Sequence, residues 1–275
     1  MQGSTKLTKI LAVTNQKGGV GKTTTAVNLS ACLAALGQRV LMIDLDPQGN
    51  ATTGCGILKR EALPTVYQVL IGRSALLDTR IRTDFGFDVL PANRELAGAE
   101  VELIDMGGRE FQLRDALAPV LSDYDFILMD CPPALNMLTV NGLVAAHAVM
   151  IPMQCEYYAL EGLTDLVATL KKVRVSLNPR LEIEGLLRTM FDPRSTLTQQ
   201  VSGELIDHFG SKVYSTIIPR NVRLAEAPSY GKPVIAFDRQ SRGAQAYTAL
   251  AKEILCRRVG VVPAAERGIA QGGDE

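Results

Sequence analysis

A glycine-rich stretch, Lys17-Gly-Gly-Val-Gly-Lys-Thr-Thr24, stands between a short apolar run and a helical pattern. The apolar run at 10–14 predicts a buried strand, and residues 23–36 predict a helix. Glycines at such a junction allow backbone conformations and close approaches that a Cβ would block. The N–H groups of the loop then converge on phosphates at the positive end of the helix. The stretch therefore predicts a phosphate-binding loop, in which Lys22 supplies charge to the outer phosphates and Thr23 offers a hydroxyl to Mg²⁺.

The alternation of apolar runs and helical patterns continues along the chain. Further strands are predicted at 39–43, 87–90, 125–129, 149–151, 183–190 and 213–218, and further helices at 95–105, 112–121, 160–177 and 243–258. Nearly continuous apolar strands separated by helices predict an α/β fold, with a mostly parallel, doubly wound sheet and helices on both faces. We expect one domain over residues 1–258 and a flexible tail at 259–275, which is rich in glycine, alanine and charge.

Composition excludes several classes of protein. Hydrophobic residues make up 47% of the chain and charged residues 21%, a balance that excludes a disordered or fibrous protein. No apolar run approaches the ~18–20 residues of a membrane span. The five cysteines are scattered and form no Cys-x-x-Cys pair, so we expect buried thiols rather than disulfides or a zinc site. The first residues contain no apolar signal core, which predicts a cytoplasmic protein.

Three aspartates follow predicted strands. Asp44 and Asp46 come after the strand at 39–43, and Asp130 comes after the strand at 125–129. The carboxyl ends of parallel strands are where ligands bind in open α/β sheets. Three carboxylates that converge there would repel one another unless a cation lay among them. Asp130 is the expected Mg²⁺ partner, through water, because Mg²⁺ keeps much of its hydration shell.

The loop departs from the plain phosphate-loop pattern because its first position is a lysine. It resembles the deviant Walker A loop, Lys-Gly-Gly-x-Gly-Lys-[Ser/Thr], of the ParA/MinD group of ATPases. The resemblance covers nearly the whole chain. It extends through Asp44-Leu-Asp-Pro-Gln-Gly-Asn50, Asp130-Cys-Pro-Pro133, Gln154-Cys-Glu-Tyr-Tyr-Ala-Leu-Glu-Gly162 and Ile218-Pro-Arg-Asn-Val-Arg-Leu-Ala-Glu-Ala-Pro228. On these motifs the chain is identified as a member of the ParA/Soj family of chromosome-partitioning ATPases.

The resemblance implies a deviant P-loop NTPase fold, ATP and Mg²⁺ as cofactors, and ATP hydrolysis by an ATP-bound homodimer. It implies that Lys17 reaches the partner protomer's nucleotide, that Asp46 orients the attacking water, and that Asp44 lies near the metal with Thr23 and Asp130. It also implies that Pro219 and Asn221 border the adenine. The expected nucleotide contacts are thus Lys17, Gly18, Gly19, Val20, Gly21, Lys22, Thr23, Thr24, Pro219 and Asn221.

Basic residues outnumber acidic ones over 171–258, whereas acidic residues predominate before them. Scattered cations without stacking aromatics suit phosphate contacts that do not read sequence. The resemblance implies non-specific binding of double-stranded DNA through Arg194 and Arg223 of the ATP-bound dimer. It also implies a ParB-type centromere-binding partner, a nucleoid-associated location and no membrane association.

Three other functions stay open at this point. A MinD-like membrane-cycling ATPase would need an amphipathic C-terminal helix, and the tail has no aromatics and contains Pro263. An iron–sulfur reductase of the nitrogenase iron-protein type would need a second cysteine suitably placed beside Cys131. A DNA-coating protein that does not hydrolyse ATP would not need Asp46.

Overall fold

The structure is a computed structural model and describes residues 7–258. At its centre is a seven-stranded sheet in the order β3-β4-β2-β5-β1-β6-β7. All neighbouring strands are parallel except β3, which runs antiparallel to β4 at one edge. The strands are β1 (Lys9–Val13), β2 (Val40–Asp44), β3 (Ile81–Arg82), β4 (Asp88–Leu90), β5 (Phe126–Asp130), β6 (Ala148–Gln154) and β7 (Glu182–Thr189).

Helices connect the strands and cover the sheet. They are α1 (Lys22–Ala35), α2 (Asn50–Gly54), α3 (Val66–Leu70), α4 (Leu76–Thr79), α5 (Leu96–Glu102), α6 (Gln112–Leu117), α7 (Met137–Ala145), α8 (Ala159–Ser176), α9 (Thr196–Phe209), α10 (Val222–Glu226), α11 (Val234–Phe237) and α12 (Arg242–Arg258). Short 3₁₀ turns add Leu103–Asp105, Ala118–Asp123, Gly210–Lys212 and Ala227–Tyr230.

The sheet separates two hydrophobic cores. Leu41 and Ile43 of β2 face one core, which is completed by α3 to α9, whereas Val40 and Met42 face the other, completed by α1, α11 and α12. This alternation follows from the two-residue period of a strand, and burial on both faces explains why the strand sequences are almost continuously apolar. The predicted α/β, doubly wound architecture is confirmed, with its parallel strands ending along one edge.

One predicted strand was wrong. Residues 213–218 run beside β7, where Tyr214 N donates to Leu186 O (3.0 Å) and Ile218 N donates to Arg188 O (2.9 Å). Between those two bonds, the amides of residues 215 and 216 donate instead to the carboxylate of Glu253 in α12, at 2.9 and 2.8 Å. The Glu253 side chain thus accepts the backbone hydrogen bonds that these residues would otherwise donate to a neighbouring strand. The tail expected at 259–275 lies outside the described residues.

Candidate functional site

The glycine-rich loop joins the end of β1 to the start of α1. Gly19 and Gly21 have φ of 74° and 87°, in the left-handed region that other residues rarely adopt. Gly21 is the N-cap of α1, and it has no side chain with which to bond the first amides of the helix. The first turn of α1 therefore keeps N–H groups for an outside acceptor, as a phosphate-binding loop requires.

Lys22 lies beneath this loop and is only 7% exposed. Its Nζ donates to the backbone oxygen of Lys17 (3.0 Å), which curls the loop around the ammonium group. Burial lowers the pKa of Lys22, and the negative charges of Asp130 and Asp46 oppose that shift. An ammonium group has three donors, so Lys22 can hold the loop and still donate to phosphate oxygens.

The side chain of Lys17 points away from the loop interior, toward the protein surface. Its backbone N donates to Asn15 Oδ1 (3.0 Å), and Asn15 is itself fixed by donating to Pro152 O (2.8 Å). The Lys17 side chain is 45% exposed and forms an ion pair with Glu156, with Nζ and Oε2 2.6 Å apart. The two lysines of the loop are thus separated: Lys22 is buried beneath it, and Lys17 is held at the surface.

Asp130 ends β5 next to the loop. Its backbone lies in register with Val13 of β1 and with Asp44 of β2, and the residue is only 1% exposed. Neither of its carboxylate oxygens has a partner with the geometry of a hydrogen bond within residues 7–258. Burial and the charge of Asp44 raise the pKa of Asp130, and the nearby Thr23 hydroxyl opposes that shift. A buried carboxylate beside a hydroxyl and without other partners fits a hydrated Mg²⁺ ion, which satisfies such oxygens and offsets their charge.

Asp44 is bonded on both oxygens. Oδ2 accepts from the N and Oγ1 of Thr52, each at 2.8 Å, and Oδ1 accepts from Asp46 N (3.1 Å). Burial raises the pKa of Asp44 to about 6. Thr52 Oγ1 also accepts from Ala92 N (2.9 Å), so Asp44 fastens α2 to the end of β4. The charges of Asp44 and Asp46 both raise the pKa of Asp130, so the three carboxylates lie near one another at this edge, as predicted. Within 7–258, no three His, Cys, Asp or Glu residues are arranged as a metal site, and the place of Asp44 near the metal stays a prediction.

Asp46 lies half-buried in the loop that follows β2. Its Oδ1 accepts from Gln48 N (2.9 Å), and the Gln48 oxygen accepts from Lys59 Nζ (2.6 Å). Gly49 comes next, with φ of 61°, and a Cβ there would lie 2.5 Å from Lys59 Cδ and 2.7 Å from Ala92 O. Lys59 therefore crosses directly over the glycine and fixes the turn that carries Asp46.

A cavity of about 200 Å³ opens beside the loop. Gly21 and Thr24 line it from the loop side, and Pro219 and Asn221 line the opposite wall. Asn221 Oδ1 accepts from Arg223 N (3.1 Å), which ties this wall to the start of α10. The structure adds lining residues that the sequence did not indicate: Thr189, Met190 and Tyr247. The φ of Met190 is 49°, and Tyr247 comes from α12, at least 22 residues beyond the other lining residues. Neither feature leaves a local signal in the sequence.

The two arginines expected to contact DNA are exposed and already paired within the chain. Arg194 Nη2 lies 2.9 Å from Asp192 Oδ2, and Arg223 Nη1 lies 2.7 Å from Glu226 Oε2. Arg223 Nε is also 3.3 Å from Asp238. Their charges are thus partly balanced locally, and phosphate contacts would have to compete with those carboxylates.

The cysteines and the helix lengths bear on the iron–sulfur reductase and the membrane-cycling ATPase considered above. All five cysteines are free thiols, and four of them are buried. In the part of the chain that the structure describes, the helices are too short or too polar to cross a membrane.

Comparisons with known proteins identify similar chains. Residues 8–183 match the family model described as "AAA domain". The chromosome partitioning protein ParA of Caulobacter vibrioides is 52% identical over 252 residues, which cover 90% of this chain and 94% of that protein. The sporulation initiation inhibitor protein Soj of Bacillus subtilis is 54% identical over 247 residues, covering 90% and 98%.

A solved structure is also similar. Cobyrinic acid a,c-diamide synthase from Mycobacterium smegmatis, with a bound ATP analogue and magnesium, superposes with a TM-score of 0.81 at 39% identity. The alignment covers 91% of this chain and 96% of that one. That solved structure therefore combines this fold with an ATP analogue and magnesium, on a chain of about the same length.

Proposed function

The chain belongs to the ParA/Soj family of chromosome-partitioning ATPases, and from that premise we propose that it is an ATP-driven switch. ATP and Mg²⁺ bind at the glycine-rich loop, two protomers close on each other, and the closed dimer binds DNA without reading its sequence. Hydrolysis of ATP reopens the dimer. The observation that carries the proposal is that one loop holds two lysines in different environments: Lys22 is buried, and Lys17 is exposed and paired with Glu156. We propose that residues 1–258 act as one ATPase unit.

Nucleotide binding uses the first turn of α1. Its free N–H groups and the Lys22 ammonium donate to phosphate oxygens, and Pro219 and Asn221 form the wall against the adenine. Thr23 and the free oxygens of Asp130 would hold Mg²⁺, the latter through water. When bound, the ion balances negative charge on the outer phosphates. We assign Asp44 to positioning, since its oxygens hold Thr52 and the Asp46 backbone.

Asp46 orients the attacking water. Its carboxylate accepts a hydrogen bond from a water molecule that attacks the γ-phosphorus. The water oxygen bonds to that phosphorus as the bond to the bridging oxygen breaks, and ADP leaves with the electron pair of the broken bond. The protons of the water stay on the inorganic phosphate or pass to solvent. The turn held by Lys59 over Gly49 keeps the carboxylate in place. Such positioning matters because phosphoryl transfer depends on alignment more than on covalent chemistry by the protein.

Closing of the dimer uses the surface around Lys17. Tyr157 and Tyr158 follow Glu156, are 75% and 69% exposed, and pack edge to face with ring centroids 5.0 Å apart. Leu135 is also 51% exposed, in the segment after Asp130. Large exposed apolar side chains beside a charged group are typical of an interaction surface. To reach the partner's nucleotide, Lys17 must first leave Glu156.

We expect Glu156→Gln to ease dimerisation. The variant removes the competing carboxylate, and an exposed ion pair is worth at most ~1 kcal/mol, so half-maximal dimerisation should need up to about fivefold less ATP. Sedimentation velocity over a series of ATP concentrations measures the shift. Glu161→Gln, an exposed glutamate in the first turn of α8, is the matched control and should leave the curve in place. An unchanged or higher ATP requirement in Glu156→Gln would contradict this step.

DNA binding follows from the basic segment of residues 171–258. Two protomers present twice the positive charge of one, which gives ATP a physical means to raise DNA affinity. Arg194 is 87% exposed and Arg223 51% exposed in their side chains, so both can exchange their carboxylate partners for phosphates. A ParB-type protein is the proposed stimulator of hydrolysis, and the nucleoid is the proposed location.

We expect Arg194→Ala and Arg223→Ala each to reduce the salt dependence of DNA binding. Each removes one phosphate contact per protomer, so the slope of log affinity against log salt should become shallower by about 1.8 per substitution. Fluorescence anisotropy on the ATP-bound dimer, with two duplexes of unrelated sequence, measures the slopes. Arg114→Ala is the matched control, since Arg114 is likewise paired with a neighbouring aspartate. Unchanged slopes would remove both arginines from the DNA surface, and a loss on one duplex alone would indicate base readout.

Two assays on the parent protein test the proposed function as a whole. DNA affinity should be at least about tenfold higher with ATP than with ADP, because the dimer has twice the phosphate contacts. Phosphate release should accompany the ATP-bound state. Equal DNA affinity with ATP and ADP would reject the switch, and DNA binding with no phosphate release would favour a DNA-coating protein.

A further inference from the structure

A second cavity lies beside β7, the last strand in the order of the sheet. It has a volume of about 550 Å³ and is formed by the start of β1, by Glu184 and Arg188 of β7, by the turn after α9 and by the end of α12. Its lining shares no residue with the cavity beside the nucleotide loop, although Arg188 directly precedes Thr189 of that cavity. Five basic side chains line this cavity: Lys9, Arg188, Lys212, Arg257 and Arg258.

Only two of these cations have a carboxylate partner. Lys9 pairs with Glu184 at 2.6 Å, and Arg257 pairs with Glu253 at 2.8 Å. Within residues 7–258, the other three basic side chains form no ion pair. Arg258 donates only to backbone oxygens, those of Asp125 and Leu7. The cavity lining therefore has an excess of positive charge.

Arg188 is the most unusual of the three because it is only 6% exposed. Its Nη1 donates to Ser202 Oγ and its Nη2 to Tyr214 O, each at 2.8 Å, and both acceptors are neutral. Its Nε has no partner within the described residues. Burial lowers the pKa of Arg188, as expected for a charge removed from water. Buried charges are ordinarily paired. The charge of Glu253 acts on Arg188, but that carboxylate is bonded to Arg257 and to two backbone amides, and within 7–258 no carboxylate contacts the Arg188 guanidinium.

We propose that this cavity binds a small, multiply charged anion of the phosphate class, held by Arg188, Lys212 and Arg258. The volume lies within the range of small-molecule sites. Guanidinium groups match phosphate oxygens in geometry and charge, and Lys212, which is exposed, would supply a point charge at the mouth. The proposal does not depend on the function of the nucleotide loop, since it uses none of the residues of that loop.

Titration calorimetry on the full chain tests the site, with Mg-ADP kept saturating so that the nucleotide loop is filled. The probes are inorganic phosphate and fructose 1,6-bisphosphate, at constant ionic strength. We expect saturable binding of at least one probe, and the tighter probe identifies free phosphate or an organic phosphate as the ligand. Arg188→Met and Lys212→Gln should each weaken that binding by at least about tenfold, because each removes a charged donor.

Lys171→Gln is the matched control, since Lys171 is an exposed lysine of α8 that does not line this cavity, and it should bind like the parent. Lys212→Gln covers the case in which Arg188→Met fails to fold. The absence of saturable binding in the parent, or equal binding by the parent and Lys212→Gln, would overturn the proposal. Displacement of the bound probe by a short DNA duplex would also overturn it, in favour of nucleic-acid phosphates as the ligand.

Discussion

Lys22→Ala is expected to lower the affinity for Mg-ATP by at least about 100-fold. The ammonium is buried beneath the loop, so its hydrogen bonds to phosphate oxygens are charge-assisted and weakly screened by water. Calorimetric titration with a non-hydrolysable ATP analogue measures the loss. Thr23→Ala should weaken binding mainly when Mg²⁺ is present, because its hydroxyl serves the ion.

Lys17→Ala is the matched control within the same loop. Its side chain points to Glu156 in the single chain, so the variant should bind nucleotide about as well as the parent. Thermal unfolding of each variant checks that the loop has not lost its fold with the loss of the Lys22–Lys17 contact. A folded Lys22→Ala protein that binds Mg-ATP as tightly as the parent would contradict the phosphate-loop assignment.

Asp46→Ala is expected to lower ATP hydrolysis by at least about 10²-fold while leaving ATP binding intact, because misplacement of a reacting group costs about that much. The protein should then accumulate as an ATP-bound dimer that holds DNA. Phosphate release and sedimentation velocity measure the two effects on the same sample. Asp78→Ala, at an exposed aspartate of α4, is the matched control and should behave like the parent.

The comparison with Lys17→Ala separates closing from hydrolysis. That variant should bind ATP and fail to form a stable dimer, since the group that reaches across is gone. If Asp46→Ala stayed monomeric with ATP, or if Lys17→Ala dimerised like the parent, the two roles would be wrongly assigned.

Local patterns were enough to predict the centre of the fold. The strands that became β1, β2 and β5 are short, apolar and buried on both faces, so their sequence identifies them directly. The glycine-rich loop could be recognised equally well, because its function depends on residue types at fixed spacing. The parallel register then brings Val13, Asp44 and Asp130 to one edge, as the sequence reading required.

Long-range contacts account for what the sequence did not reveal. Residues 213–218 look like a strand, and the carboxylate of Glu253, from a helix far along the chain, takes their amides. Asp44 is predicted to lie near the metal, and the sequence does not reveal that its Oδ2 accepts from Thr52 and its Oδ1 from the Asp46 amide. The edge strand β3 has only two residues, too few for a periodic pattern.

Contacts between charged side chains at the surface could not be predicted from the sequence either. Nothing in the loop indicates that Lys17 meets Glu156, 139 residues away, because that contact depends on β6 lying beside β1. The cation-rich cavity is similar: its basic residues come from β1, β7, α12 and the turn after α9. In the sequence they appear only as scattered charges.

The central claim is that ATP closes two protomers into a dimer, and light scattering coupled to size exclusion tests it most directly. The parent protein is measured with ADP, with ATP and with a non-hydrolysable ATP analogue, each with Mg²⁺. We predict the mass of one 275-residue chain with ADP and about twice that mass with the analogue, with ATP giving a mixture as hydrolysis proceeds. The same mass in all three nucleotide conditions would contradict the switch.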